Sequence, residues 1–173
     1  FRNDGKSLEG RVIFNYKLSD AQQDGYFRHI RLQAVEEYGD AAEADHCIAK
    51  RAIAVLREDR ATGHDHLLLA RAKSIPRAEE ILPIYPHLAG DLNPVIVHSD
   101  TSKAENAAAF GALEDRSSKI IVCVDMLGEG FDLPNLKIAA LHDHHKSLAV
   151  TLQFIGRFTR TVHGVGDAAA VVN

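Results

Sequence analysis

Tryptophan is missing from this 173-residue chain, methionine occurs once, and cysteine occurs only as Cys47 and Cys123. The two thiols lie far apart with no C-x-x-C pair, which argues against a disulfide framework or a zinc ribbon and predicts a reducing, cytoplasmic setting. No apolar run reaches the roughly 18 to 20 residues a membrane span requires, and no signal peptide is present, so a soluble chain without a membrane partner is expected. Positive charge is also scarce. The net charge of -4 argues against nucleic-acid binding through bulk basicity, although a local basic stripe remains compatible with an acidic total. Internal repeats and low-complexity tracts are absent too. The length suits one domain that buries its own core without metal or disulfides. Phe1 at the start, and a small apolar run from Ala168 to Asn173 that resembles a strand just begun, suggest a piece of something longer.

Strand and helix signals alternate along most of the chain. Arg11 to Lys17 reads as a short strand and Ser19 to Gly25 as a polar turn. From His29 to Arg60 the pattern is helical, with a break predicted near Gly39-Asp40. His66 to Ala72 is a continuous apolar strand, followed by a helix over Ile75 to Leu88 that Pro76, Pro83 and Pro86 interrupt. Pro94 to Ser99 predicts a strand and Lys103 to Leu113 a helix, then Lys119 to Met126 and Leu136 to His142 predict strands flanking a glycine-rich loop. Ser147, a plausible N-cap, opens a helix to Arg160, and Ala168 to Val172 closes with a strand. Apolar strands alternating with helices of 10 to 15 residues predict an α/β, doubly wound, mainly parallel sheet with helices on both faces. In such sheets ligands sit beyond the carboxyl ends of strands, so the segments after Ala72, Ser99 and Met126 should line the working edge.

The residues richest in chemistry lie near the end. Gln153-Phe154-Ile155-Gly156-Arg157-Phe158-Thr159-Arg160 sets two arginines three apart on one helical face. A planar, permanently charged fork suits the charge on a transferred phosphoryl group, where one such arginine is worth roughly 10³ to 10⁵ in rate. Taken alone, the pair reads first as a solvated or salt-bridged helix face.

Four segments together resemble the second RecA-like domain of a superfamily 2 helicase or translocase. Gln153 to Arg160 is similar to that family's motif VI, and Val124 to Pro134 (VDMLGEGFDLP) resembles motif V. Leu67 to Ser74 (LLLARAKS) resembles motif IV, and Val97-His98-Ser99-Asp100, with Lys103 and Glu105, resembles the segment that follows it. The resemblance covers about Asp65 to Asn173. It implies two domains of action: residues 63–173 as a RecA-like helicase C-terminal domain, and residues 1–62 as a connector from a missing N-terminal domain, with a strand and helices packing on the core.

The resemblance also implies roles. Arg157 and Arg160 would reach the γ-phosphate of ATP held on the other domain, with Arg160 as the finger. Gln153 would help position the nucleotide or bridge to motif V, Gly130 would let the backbone approach closely, Asp132 would bind the ribose hydroxyls and Glu129 would pair with an arginine of motif VI. Arg71, Lys73 and Ser74, just beyond a strand end, together with His98, Ser99, Asp125 and Met126, would hold the nucleic-acid backbone. ATP and Mg²⁺ would be bound mainly by the N-terminal RecA-like domain of the same polypeptide. Val124 stands where motif V often carries a hydroxyl, and Gln153-Phe154 differs from the His-Arg of DEAD-box proteins. The latter is similar to DEAD/DEAH-like or restriction-type helicases and duplex translocases, which places DNA ahead of RNA.

Other patterns carry less. Gly5-Lys6-Ser7 leads into the strand-like Arg11 to Lys17 instead of a helix, so it is not read as a phosphate loop. His142-Asp143-His144-His145 is consecutive at a strand end and cannot converge on one ion, so it is read as a polar loop and no metal site is expected. Cys123, inside an apolar strand, is read as a small core residue. Without Walker A and B motifs the chain is expected to lack ATPase activity by itself. Two rival readings remain: a helicase-like module that binds without catalysis, and a free-standing nucleotide-binding α/β enzyme, which would lack the usual G-x-G-x-x-G turn.

Overall fold

The computed structural model describes residues 30–35, 39–124, 133–143 and 166–172. Strand β1 (Ile30–Ala34) occupies positions where a helix was expected. It pairs with the last strand in parallel register, Leu32 opposite Ala170, and that pairing overrides a local composition compatible with either state. The expected break does fall at Gly39-Asp40. Asp40 caps helix α1 (Ala41–Ala61), accepting from the amides of Ala42 and Glu43, while the Glu43 side chain accepts from the Asp40 amide. The predicted strand over Arg11 to Lys17 and the predicted helix over Ser147 to Arg160 lie outside the described residues.

Strand β2 (Leu67–Ala72) is buried along its whole length. The interrupted helix expected after it is two short ones, α2 (Ile75–Ile81) and α3 (Ile84–Ala89), because Pro83 lacks an amide hydrogen to continue the first. A 3-10 turn over Gly90–Leu92 leads to strand β3 (Val95–Val97), shorter than expected. Helix α4 (Lys103–Glu114) starts from a second reciprocal cap, in which Ser102 accepts from Glu105 N–H and Glu105 accepts from Ser102 N–H. Strands β4 (Ile120–Val124), β5 (Leu136–Leu141) and β6 (Ala168–Val172) follow.

The six strands form one sheet in the order β1-β6-β5-β2-β4-β3. Every pairing is parallel. Successive side chains of a strand point to opposite faces, so a parallel sheet covered on both sides needs apolar residues at every position. Leu68 and Ala70, with Ile120, Val122, Ile138 and Ala140, pack under α1, α2 and α3. Leu67 and Leu69, with Ile121, Cys123, Ala139 and Leu141, pack on the other face under α4. Each fully buried Leu or Ile contributes about 1.5–3 kcal/mol relative to an exposed one. Cys123 is a core residue, as expected.

The connections from β2 lead towards β4 and β3, whereas β5 continues to β6 on the opposite side. The winding therefore reverses between the neighbouring strands β2 and β5. A crevice outside their carboxyl ends is where this topology leaves room for a ligand.

Candidate functional site

Residues just after β2, β3 and β5 share the carboxyl edge of the sheet. In the observed strand order the end of β5 is three intervals from the end of β3, about 14 Å at roughly 4.8 Å per interval. Of the residues expected there, Arg71 lies one residue before the end of β2, opposite Cys123 and Leu141, and is buried. It belongs to the strand and not to the segment beyond it. Lys73 does lie beyond the strand, with 67% of its side chain exposed. Ser74 caps α2 and accepts from the Arg77 amide at 3.4 Å.

His98 and Ser99 follow β3. His98 is buried, and the turn is closed locally: its amide donates to Thr101 Oγ1 at 3.1 Å, and Asn106 Nδ2 donates to its carbonyl at 3.2 Å. The Ser99 hydroxyl donates to Asp100 at 3.2 Å on the exposed side of the turn. Asp125, Met126, Glu129, Gly130, Asp132, Gln153, Arg157 and Arg160 lie outside the described residues.

Behind Lys73 and Ser74 stands a buried polar cluster that local sequence patterns did not expose. Asp45, on α1, receives hydrogen bonds from both Arg77 and His142 Nδ1, the latter at 2.8 Å. Because Asp45 can only accept as a carboxylate, Nδ1 carries the imidazole proton, and the Tyr85 hydroxyl donates to Nε2 at 2.7 Å. Burial acts to raise the Asp45 carboxyl, but the hydrogen bonds from His142 and Arg77 outweigh it and hold its pKa below the ordinary 3.8. Burial, and then the charge of Asp45, push the Tyr85 phenol well above its ordinary range and keep it protonated. Arg77 is raised as well: burial opposes its charge, and the bonds to Asp45 and Glu80 more than offset that.

Asp143 completes the cluster. Its Oδ2 accepts from the Lys73 amide at 2.9 Å, and its Oδ1 stands 3.4 Å from both Lys73 Nζ and Arg77 Nε. The polar-loop reading of His142 and Asp143 is therefore corrected, since both side chains are buried against α1, α2 and α3. One signal was available: Asp45 shares the apolar stripe of α1 with Ile48, Ala49 and Ala52, where an unpaired carboxylate would be costly. Among the described residues no group of three or more His, Cys, Asp or Glu side chains is arranged to hold a metal ion.

A second polar cluster lies at the opposite, amino edge. Asp59, near the end of α1, accepts from Arg31 at 2.7 Å and from His66 Nδ1 at 2.8 Å. These residues line an open depression of about 320 Å³ together with Glu58, Thr62, His64 and Asp167. Although it is a sizeable cavity, it lies at the wrong end of the strands for the ligand crevice of this topology.

The geometry agrees with the comparisons. Residues 49–162 match the family described as the helicase conserved C-terminal domain. The chain belongs to that family. It is also 29% identical over 136 residues to the UvrABC system protein B of Chlorobaculum tepidum, a match covering 76% of this chain and 19% of that protein. The chain thus spans about a fifth of that curated relative.

Among solved structures, domain 2 of the DEAD-box helicase Mss116p bound to an RNA duplex superimposes with a TM-score of 0.60 at 16% identity, covering 82% of this chain and 52% of that one. The C-terminal domain of the DEAD-box protein Dbp5 superimposes with a TM-score of 0.54 at 18% identity, covering 83% and 77%. At such identities the superpositions speak for the fold, and the six-stranded parallel sheet is the RecA-like α/β fold of these helicase domains. The helicase family match leaves the free-standing nucleotide-binding enzyme without support. No helix among the described residues is long and apolar enough to cross a membrane.

Proposed function

We propose that this helicase C-terminal domain is one half of an ATP-dependent DNA helicase or translocase. The observation that carries the reading is the shared carboxyl edge, where the loops after β2 and β3 present Lys73, Ser74 and Ser99 in a chain of the helicase family. Lys73, Ser74 and Ser99 hold phosphates without reading sequence, Asp125 and Met126 extend the same wall of the nucleic-acid groove, and the buried Arg71 and His98 support it from the strand ends. Residues 1–62 connect to an N-terminal RecA-like domain, which binds ATP and Mg²⁺.

Arg157 and Arg160 enter the cleft between the domains, where they stabilise charge on the γ-phosphoryl group as it transfers to water. Gln153, Glu129, Gly130 and Asp132 complete the nucleotide side of that cleft. Closing the cleft on ATP and opening it on product release moves the two groove walls relative to each other, which drives motion along the polymer. DNA is preferred over RNA because motif VI begins with Gln153-Phe154 and not with the His-Arg of DEAD-box proteins. The DEAD-box neighbours, at 16% and 18% identity, speak for the fold.

ATP hydrolysis by the polypeptide that joins this chain to its N-terminal domain tests the proposal. DNA should stimulate turnover more than RNA, and Arg160→Ala should lower it about a hundredfold or more. Turnover that ignores both the polymer and Arg160 would leave a binding module without motor activity. The isolated chain should show negligible hydrolysis.

A further inference from the structure

We propose that Asp143 is a positioning residue for nucleic-acid binding, which orients Lys73 towards the phosphate backbone. The inference rests on the reading of the β2 loop as part of the nucleic-acid groove. Asp143 lies two residues past the end of β5, and Lys73 and Ser74 follow β2, the neighbour of β5 in the sheet at the point where the winding reverses. Only 8% of the Asp143 side chain is exposed, so its carboxylate acts on the loop from beneath.

One oxygen accepts from the Lys73 amide at 2.9 Å and fixes the direction of that backbone. The other lies 3.4 Å from Arg77 Nε. Arg77 is in turn held by Asp45 and by Glu80 at 3.0 Å, and its own amide donates to Ser74 Oγ. His142 N–H donates to the Arg71 carbonyl at 3.2 Å, so the tails of β5 and β2 are also joined through the main chain. The loop that presents Lys73 and Ser74 is thereby anchored at its backbone and at the first turn of α2.

The ion pair between Lys73 Nζ and Asp143 is the weak part of this arrangement. It spans 3.4 Å, with the lysine 67% exposed. Solvent screens such a pair, so a phosphate can draw the ammonium away at little cost. The hydrogen bond that the Lys73 amide donates to the buried carboxylate is charge-assisted and survives that exchange. Asp143 therefore keeps the stem of Lys73 in place while its head is free to bind.

The test measures affinity of the full chain for a fluorescently labelled duplex DNA across a salt series, with thermal denaturation confirming that each variant folds. Lys73→Ala should weaken binding about fivefold to tenfold and reduce the salt slope by about 0.9, the share of one phosphate contact on duplex DNA. Asp143→Ala should produce a similar loss and a similar drop in slope, and adding Lys73→Ala to it should cost little more.

Asp143→Asn is the gentler variant in case Asp143→Ala does not fold. Its amide oxygen can still accept from Lys73 N–H, but its NH₂ opposes Arg77, so an intermediate loss is expected. If Lys73→Ala leaves affinity unchanged, the reading of the β2 loop itself fails. If Lys73→Ala weakens binding while the folded Asp143 variants do not, or while they bind more tightly, the positioning role is overturned.

Discussion

Helix α1 carries the same device at both ends of the sheet, and the two copies differ in how they are finished. Asp45 and Asp59, about four turns apart on one face of the helix, each accept from a histidine Nδ1 at 2.8 Å and from an arginine. At the carboxyl edge both ring nitrogens of His142 are engaged, because Tyr85 donates to Nε2, and Arg77 is enclosed between Asp45 and Asp143.

At the amino edge Nε2 of His66 has no hydrogen-bond partner among the described residues, and the arginine, Arg31, keeps 40% of its side chain exposed. Burial outweighs the bond to Asp59 there and lowers His66 below its ordinary 6.5, so the ring stays neutral. A closed cluster fixes the elements that end on it, and those at the carboxyl edge present the proposed groove residues. The open cluster fastens the far ends of α1 and β2 with less at stake.

The comparison breaks most sharply at the two aspartates. Asp45→Ala takes the acceptor from the buried His142 imidazole and one of the three carboxylates around Arg77, and should cost about 3 kcal/mol of stability. Asp59→Ala should cost about 2 kcal/mol, since water can rehydrate Arg31. Urea denaturation of both variants measures the difference, and equal losses would erase the distinction between the edges.

Acid should act on the same asymmetry. Asp45 titrates lower in the folded chain than in the unfolded one, so it contributes stability that is present above its ordinary 3.8 and is lost as the pH falls below that value. The fall in the urea midpoint below pH 3.8 should therefore be shallower in Asp45→Asn than in wild type.

Tyr85→Phe sharpens the comparison by making the carboxyl edge resemble the amino edge. It leaves His142 Nε2 without a donor and should cost about 1–3 kcal/mol. The smallest effect is expected from Gly166→Ala. At φ +29° a β-carbon would stand 3.0 Å from His64 Cε1 and 3.1 Å from His66 Nε2, and a loss of about 1 kcal/mol is expected in the same denaturation assay.

Much of this arrangement was legible locally. His66 to Ala72 and Leu136 to His142 read as buried strands because apolar residues fill both of their faces, whereas the capping roles of Asp40 and Ser102 emerged only in the structure, although each lies next to the amides it satisfies. Lys73 and Ser74 could be placed after β2 from the same apolar run. Ile30 to Ala34 was misread because its state depends on pairing with Ala168 to Val172, far along the chain, and no local period records a partner at that distance.

The amino-acid order alone determined the alternation of strands and helices, the helix caps, and the motifs that join the chain to the helicase family, since each rests on residues close in sequence. Tertiary structure decided which strands are neighbours, and hence that residues after β2, β3 and β5 share one edge. It also turned His142-Asp143 from a polar loop into a buried anchor for Lys73, because Asp45, Arg77 and Tyr85 come from three different helices and meet only when the sheet is assembled.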